Sequence, residues 1–118
     1  MKISELQERA HKNAYNKGFW DKPNDIIFRM REKGFSEDDM HCVTNAFRCQ
    51  RLMLMVSELG EAVEALRHGN YDGYQEELAD TVIRILDECG GSNIDLESGI
   101  ICKMVLNESR PPKHGKEF

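Results

Sequence analysis

The stretch ELGEAVEALRHGNYDGYQEELAD, Glu58 to Asp80, places two acid pairs of equal spacing on either side of a short turn: Glu58 with Glu61 before it, Glu77 with Asp80 after it. Three helical steps of about 100° fall about 60° short of a full turn, so each pair points one way. On an isolated amphipathic helix such a pair is an ordinary solvated face. Glu77 and Asp80 fit that description, because they share a side with Thr81 and Arg84 opposite an apolar side of Leu78, Ala79, Val82, Ile83, Ile85, Leu86 and Cys89. The helix before the turn differs. Its main apolar stripe runs through Leu52, Val56, Leu59, Val63 and Leu66, yet Leu54, Glu58, Glu61 and Ala65 form a second stripe, and Met53 and Leu54 make it apolar on several sides. A helix of that kind is buried on more than one side.

The turn brings the two pairs to one level. Asn70, Asp72 and two glycines make the connection, with Asp72 as the expected cap of the following helix. With helix ends near His68 and Asp72, Glu61 lies about 10 Å below the turn, and Glu77 and Asp80 lie about 8 and 12 Å below it, at about 1.5 Å per residue. A short connection makes consecutive helices antiparallel neighbours. The carboxylates converge if both faces turn inward, a rotation the sequence leaves open. Clustered, the four would repel one another unless a cation sat among them. With neither histidine nor cysteine in the set, the hard oxygen donors suit Mg²⁺ or Mn²⁺ better than Zn²⁺, and Mg²⁺ also binds substrate phosphates.

The rest of the chain reads as helix. ISELQERAHKNAYNKG carries Ile3, Leu6, Ala10 and Ala14 on one stripe and stops at Gly18. Phe19 and Trp20 then sit in a connection, followed by a short helical piece near Ile26 to Glu32 that Gly34 ends. Ser36 with Asp39 resembles a capping box at the start of the long acid-bearing helix. GGSN at 90–93 ends the next helix, and a last one runs near Asp95 to Glu108 before Pro111 and Pro112. No segment alternates with period two. The expected fold is all-α, an antiparallel bundle of about four main helices.

The 118 residues suit a single domain, with no Pro/Gly/Ser-rich divide. A chain this small gains by pairing with a copy of itself. Its net charge of −5, with both signs interspersed, argues against a broad surface for a nucleic-acid polymer or an anionic membrane. Apolar runs such as LMLMV at 52–56 fall far short of the roughly 18 to 20 residues of a bilayer span, and MKISELQERAHKNAYNKG has no apolar signal-peptide core. A cytoplasmic location is expected. Cys42, Cys49, Cys89 and Cys102 show no CxxC spacing and read as small buried hydrophobes; a zinc set from His41, Cys42 and Cys49 lacks its second half.

The acid pattern resembles the MazG-like family of all-α nucleoside triphosphate pyrophosphohydrolases, in which ExxE on one helix is followed by ExxD on the next. Here the motifs are ELGE at 58–61 and ELAD at 77–80. ELQERAHKNAYNKGFW resembles the family's opening helix and aromatic turn, and KMVLNESRPPKHGKEF a closing segment of its small members, so the likeness covers nearly the whole chain. Many members carry a further acid ahead of ExxE where this chain has Ser57, and the connection from Asp21 to Arg48 is long and idiosyncratic.

The resemblance implies hydrolysis of an NTP or dNTP to the monophosphate and pyrophosphate by a homodimer or homotetramer. It implies Mg²⁺ (or Mn²⁺) on Glu58, Glu61, Glu77 and Asp80, with Glu58 and Glu61 catalytic; Glu61 is the expected base because its level lies between those of Glu77 and Asp80. It also implies phosphate contacts from Lys103, Asn107, Arg110 and Lys116, and base contacts from Trp20 and Phe19. Read as residues alone, Lys103, Asn107 and Arg110 share a helix face whose bases complement the helix dipole, and Trp20 is equally the largest piece of core. Two other functions fit the pattern: a non-catalytic helical dimerisation or regulatory module that binds nucleotide or a protein partner, and a relative acting on a phosphoribosyl nucleotide intermediate in histidine synthesis. The aromatic turn argues against the second.

Overall fold

The computed structural model describes residues 1–118. They form five α-helices and no strand: α1 (Ile3–Asn16), α2 (Asp21–Glu32), α3 (Glu37–Arg67), α4 (Tyr71–Gly91) and α5 (Leu96–Glu108), followed by a 3-10 turn at Pro112–Gly115. The short piece expected near Ile26 is a full helix that begins at Asp21. Pro23 does not interrupt it, because the first-turn N–H groups have no intrahelical partner to lose.

Side chains set the helix starts. Ser36 Oγ accepts from the Asp39 N–H at 3.1 Å, as the sequence predicts for α3. The cap of α4 is Asn70 and not Asp72. Gly69 takes a left-handed φ of 67° and the Asn70 N–H bonds back to the Ala65 carbonyl at 2.8 Å, so the turn closes early. Asn70 Oδ1 then accepts from the Gly73 N–H at 2.9 Å, and Asp72 falls in the first turn, where its charge complements the helix dipole.

Helix α4 is the central element, packed on α3 along one side and on α1 along another. Arg51 pairs with Glu88 and Glu58 with Arg84, so numbers rise on α3 as they fall on α4: the two are antiparallel. The same sense holds against α1, where Gln7 Nε2 donates to the Ile94 carbonyl at 2.8 Å and His11 hydrogen-bonds Asp87 at 2.9 Å. Two glycines read from sequence as a helix stop are contact positions at the end of α4. A Cβ on Gly90 would lie 2.5 Å from His11 Cβ, and one on Gly91 would lie 2.2 Å from Trp20 Cη2.

The α3 surface turned inward differs from the stripe that the spacing favours. Met55 and Ala62 are buried, with Glu58 between them, whereas Leu52, Val56, Leu59, Val63 and Leu66 are exposed. Helix α4 is rotated correspondingly: Thr81 is buried, Glu77 and Arg84 are half-buried beside it, and Val82 and Ile83 are exposed. The polar side of α4, expected to face water, is the side laid on α3. Only Cys89 of the four cysteines is buried, because the others lie on outward faces of α3 and α5. Helix α5 packs on α1 and stands off from the α3–α4 pair, which gives a radius of gyration of 17.7 Å, against about 13 to 14 Å for a compact chain of this length. No helix is long and apolar enough to cross a membrane.

The Gly91–Trp20 contact yields a direct test. Gly91→Ala forces the indole out of its seat, and unfolding in urea should show a loss of about 1 to 3 kcal/mol, the usual cost of overpacking. Unchanged stability and tryptophan emission would disprove the contact.

Candidate functional site

The rotation of α3 and α4 decides where the acids go. Glu58 from α3 and Glu77 and Asp80 from α4 each bring a carboxylate oxygen within 4.8 Å of the others. Glu58 and Glu77 are half-buried and Asp80 is exposed, so the group grades from the seam outward. Glu61 is exposed at the rim and contacts the Glu77 carboxyl, but it lies outside the set of three.

The electrostatics follow from which acid has a cation beside it. Arg84 Nε donates to Glu58 Oε1 at 2.7 Å. That guanidinium holds the Glu58 carboxyl below its ordinary range, against the opposing effect of burial. Glu77 has no such partner. Burial first, and then the contacts with Glu58 and Glu61, push it up to about 7. Its Oε2 is closed off from solvent and has no hydrogen-bond partner. Two carboxyl groups can close on one another only by sharing a proton or a cation, and a buried oxygen left alone is costly.

The three carboxylates form an all-oxygen group close enough to hold a metal ion, and it includes a buried oxygen without a partner. His41, Cys42 and Cys49 form no comparable group; His41 hydrogen-bonds Asn45 instead.

Glu58 and Asp80 also line a cleft of about 480 Å³ shared with Phe19, Trp20, Arg51 and Arg84. Both residues of the aromatic turn thus reach the acid cleft, in different states. Phe19 is 73% exposed, and Trp20 is 7% exposed. The indole Nε1 donates to Asp87 Oδ1 at 2.9 Å, Arg51 lies 4.3 Å over the ring, and His11 meets it edge-on at 5.0 Å. Trp20 is therefore a fixed wall of the cleft, and Phe19 is the aromatic face open to a ligand. The residues expected at phosphates are elsewhere: Lys103 and Asn107 on α5, and Arg110 and Lys116 after it, line no part of this cleft. Asn107 Oδ1 is a second buried oxygen with no partner.

Sequence reasoning missed Arg51, Asp87, Glu88 and His11. None carries a motif, and their one signal is the Gly90–Gly91 pair, which permits close approach by α1 and Trp20. Comparison of the chain with protein-family models, with curated proteins and with solved structures finds no match.

The state of Glu77 predicts a pH dependence. Its folded pKa, about 7, exceeds its ordinary value of 4.5, so between these the folded chain holds more proton than the unfolded one. That contribution to stability is complete below about 4.5 and is lost as pH rises through about 7. Glu58, shifted downward, acts in a separate window below its ordinary range. In a chelator, the urea midpoint should therefore fall from about pH 5 to about pH 8, and Glu77→Gln should flatten that component. A midpoint that rises over this range, or a slope that survives Glu77→Gln, would refute the assignment.

Proposed function

We propose that the chain is a MazG-like, Mg²⁺-dependent nucleoside triphosphate pyrophosphohydrolase, acting on an NTP or dNTP to release the monophosphate and pyrophosphate. The observation that carries this reading is the convergence of Glu58, Glu77 and Asp80 from antiparallel helices, with an unpartnered buried oxygen on Glu77, beside a cleft that Glu58 and Asp80 line together with the aromatic turn. Glu58, Glu77 and Asp80 would hold the Mg²⁺, which when bound neutralises phosphate charge and makes a coordinated water more acidic. Glu77 gives up its proton to enter that state. In this reading Glu61, exposed beside Glu77, takes the proton of a water attacking the α-phosphorus, as the bond to the bridging oxygen breaks and pyrophosphate leaves with the electron pair. Arg51 and Arg84 are the cleft's own cations, and Phe19 offers its ring to the base.

The reading includes a homo-oligomeric bundle, a dimer or a tetramer. The exposed stripe Leu52, Val56, Leu59, Val63, Leu66 supports it, since contiguous apolar surface on one helix face is a mark of association. Lys103, Asn107, Arg110 and Lys116 enter the chemistry only if such an assembly brings α5 and the tail to a cleft. Light scattering should report an oligomer for the natural chain, and Leu59→Glu with Val63→Glu should yield a folded monomer. A natural chain that is monomeric at all accessible concentrations would remove this part of the reading.

Catalysis is tested by a panel of standard, deoxy- and modified triphosphates with and without Mg²⁺. Turnover of at least one, dependent on Mg²⁺ and reduced about 10²-fold or more by Glu61→Gln or Asp80→Asn, is expected. The Glu58–Arg84 ion pair, which engages one carboxylate of the set, favours the alternative of a non-catalytic regulatory module. No turnover across the panel, with nucleotide binding by calorimetry that ignores both Mg²⁺ and Asp80→Asn, would decide for it.

A further inference from the structure

We propose that the groove between α2 and α3 is a second binding site, independent of divalent cations, for a small molecule that carries a phosphate next to a flat ring. The groove has a volume of about 290 Å³ and adjoins the acid cleft, with Trp20, Pro23 and Arg51 lining both. Its floor is built by helical spacing. Asn24, Ile27, Phe28 and Arg31 stand at i, i+3, i+4 and i+7 on α2, and Thr44, Phe47, Arg48 and Arg51 do so on α3.

Three guanidinium groups, Arg31, Arg48 and Arg51, line this small space with no carboxylate among the lining residues, although the chain as a whole carries −5. Their charge is only partly used. Arg51 is paired with Glu88, but Arg48 donates to the neutral Asn45 amide at 3.0 Å, and Arg31 takes part in none of the ion pairs. Arg31 and Arg48 thus line one groove with no carboxylate partner, and an anion there can accept charge-assisted hydrogen bonds from their guanidinium forks. A phosphate group has the oxygens and charge for that geometry. The ring follows from Phe28, which is exposed although large and apolar, and from Phe47 facing it across the groove. Aromatic faces beside guanidinium groups suit a planar ring that stacks while its phosphate is gripped.

Trp20 is the chain's one tryptophan and part of the groove wall, so its emission reports on occupancy. The full chain is titrated in chelator with adenosine monophosphate and, separately, with inorganic phosphate, followed by fluorescence and by calorimetry. Saturable binding is expected for the mononucleotide, weakened by added salt. Arg31→Gln with Arg48→Gln, verified as folded by circular dichroism, should raise the mononucleotide Kd about tenfold or more. Asp80→Asn, in the acid cleft, should leave it unchanged. Absence of saturable mononucleotide binding by both methods would overturn the proposal. So would wild-type affinity in the folded double variant, or loss of binding in Asp80→Asn, which would place the ligand in the acid cleft.

Discussion

Charge is laid inside the seam between α3 and α4, and everything of interest in the molecule follows from how that charge is balanced. Two ion pairs, Arg51 with Glu88 and Arg84 with Glu58, hold most of it. Ion pairs removed from water gain little net energy, since desolvation offsets most of the attraction, but their geometry has to be right. They therefore act on register: each pair fixes a level of α3 against a level of α4. At that register Glu77 reaches the seam with no cation of its own, pressed against Glu58 and Glu61. Glu77 is thus a half-buried carboxyl that neither arginine balances, and a proton or a bound cation can supply what is missing.

Trp20 ties the other end of α4 into the same arrangement. Its ring occupies the space left by Gly91, its N–H binds Asp87, and Arg51 covers its face while reaching Glu88. One side chain thus belongs to the wall of the acid cleft, to the wall of the arginine-lined groove and to the packing of α1 against α4.

The exposed apolar stripe on α3 is the reverse face of the same choice. A helix of 31 residues with apolar groups on several sides has more apolar surface than α1, α2 and α4 can cover. The polar seam takes one side, and the stripe through Val56 and Leu59 is left outward. The length of α3 and the distance of α5 from the α3–α4 pair explain why the chain is broader than a compact one of its length.

Local signals in the sequence determined a good deal. Five helices arise from 3.6-residue periodicity, from Ser36 as a cap and from glycines at the turns, all of which act within a few residues. Rise per residue and a short turn fix height along two antiparallel helices, and they matched Glu61 to the level of Glu77 and Asp80; the structure instead brings Glu58 to those two and leaves Glu61 outside the set of three. Rotation about the helix axes was not legible. Apolar count favoured Leu52, Val56 and Leu59 as the inward side of α3 and sent Thr81 and Arg84 to water, whereas Met55, Ala62 and Thr81 are buried. Only the tertiary structure decided this, because side chains distant in sequence (Arg51 against Glu88, Trp20 against Gly91, His11 against Asp87) set the rotation. No local pattern encodes the fit between them.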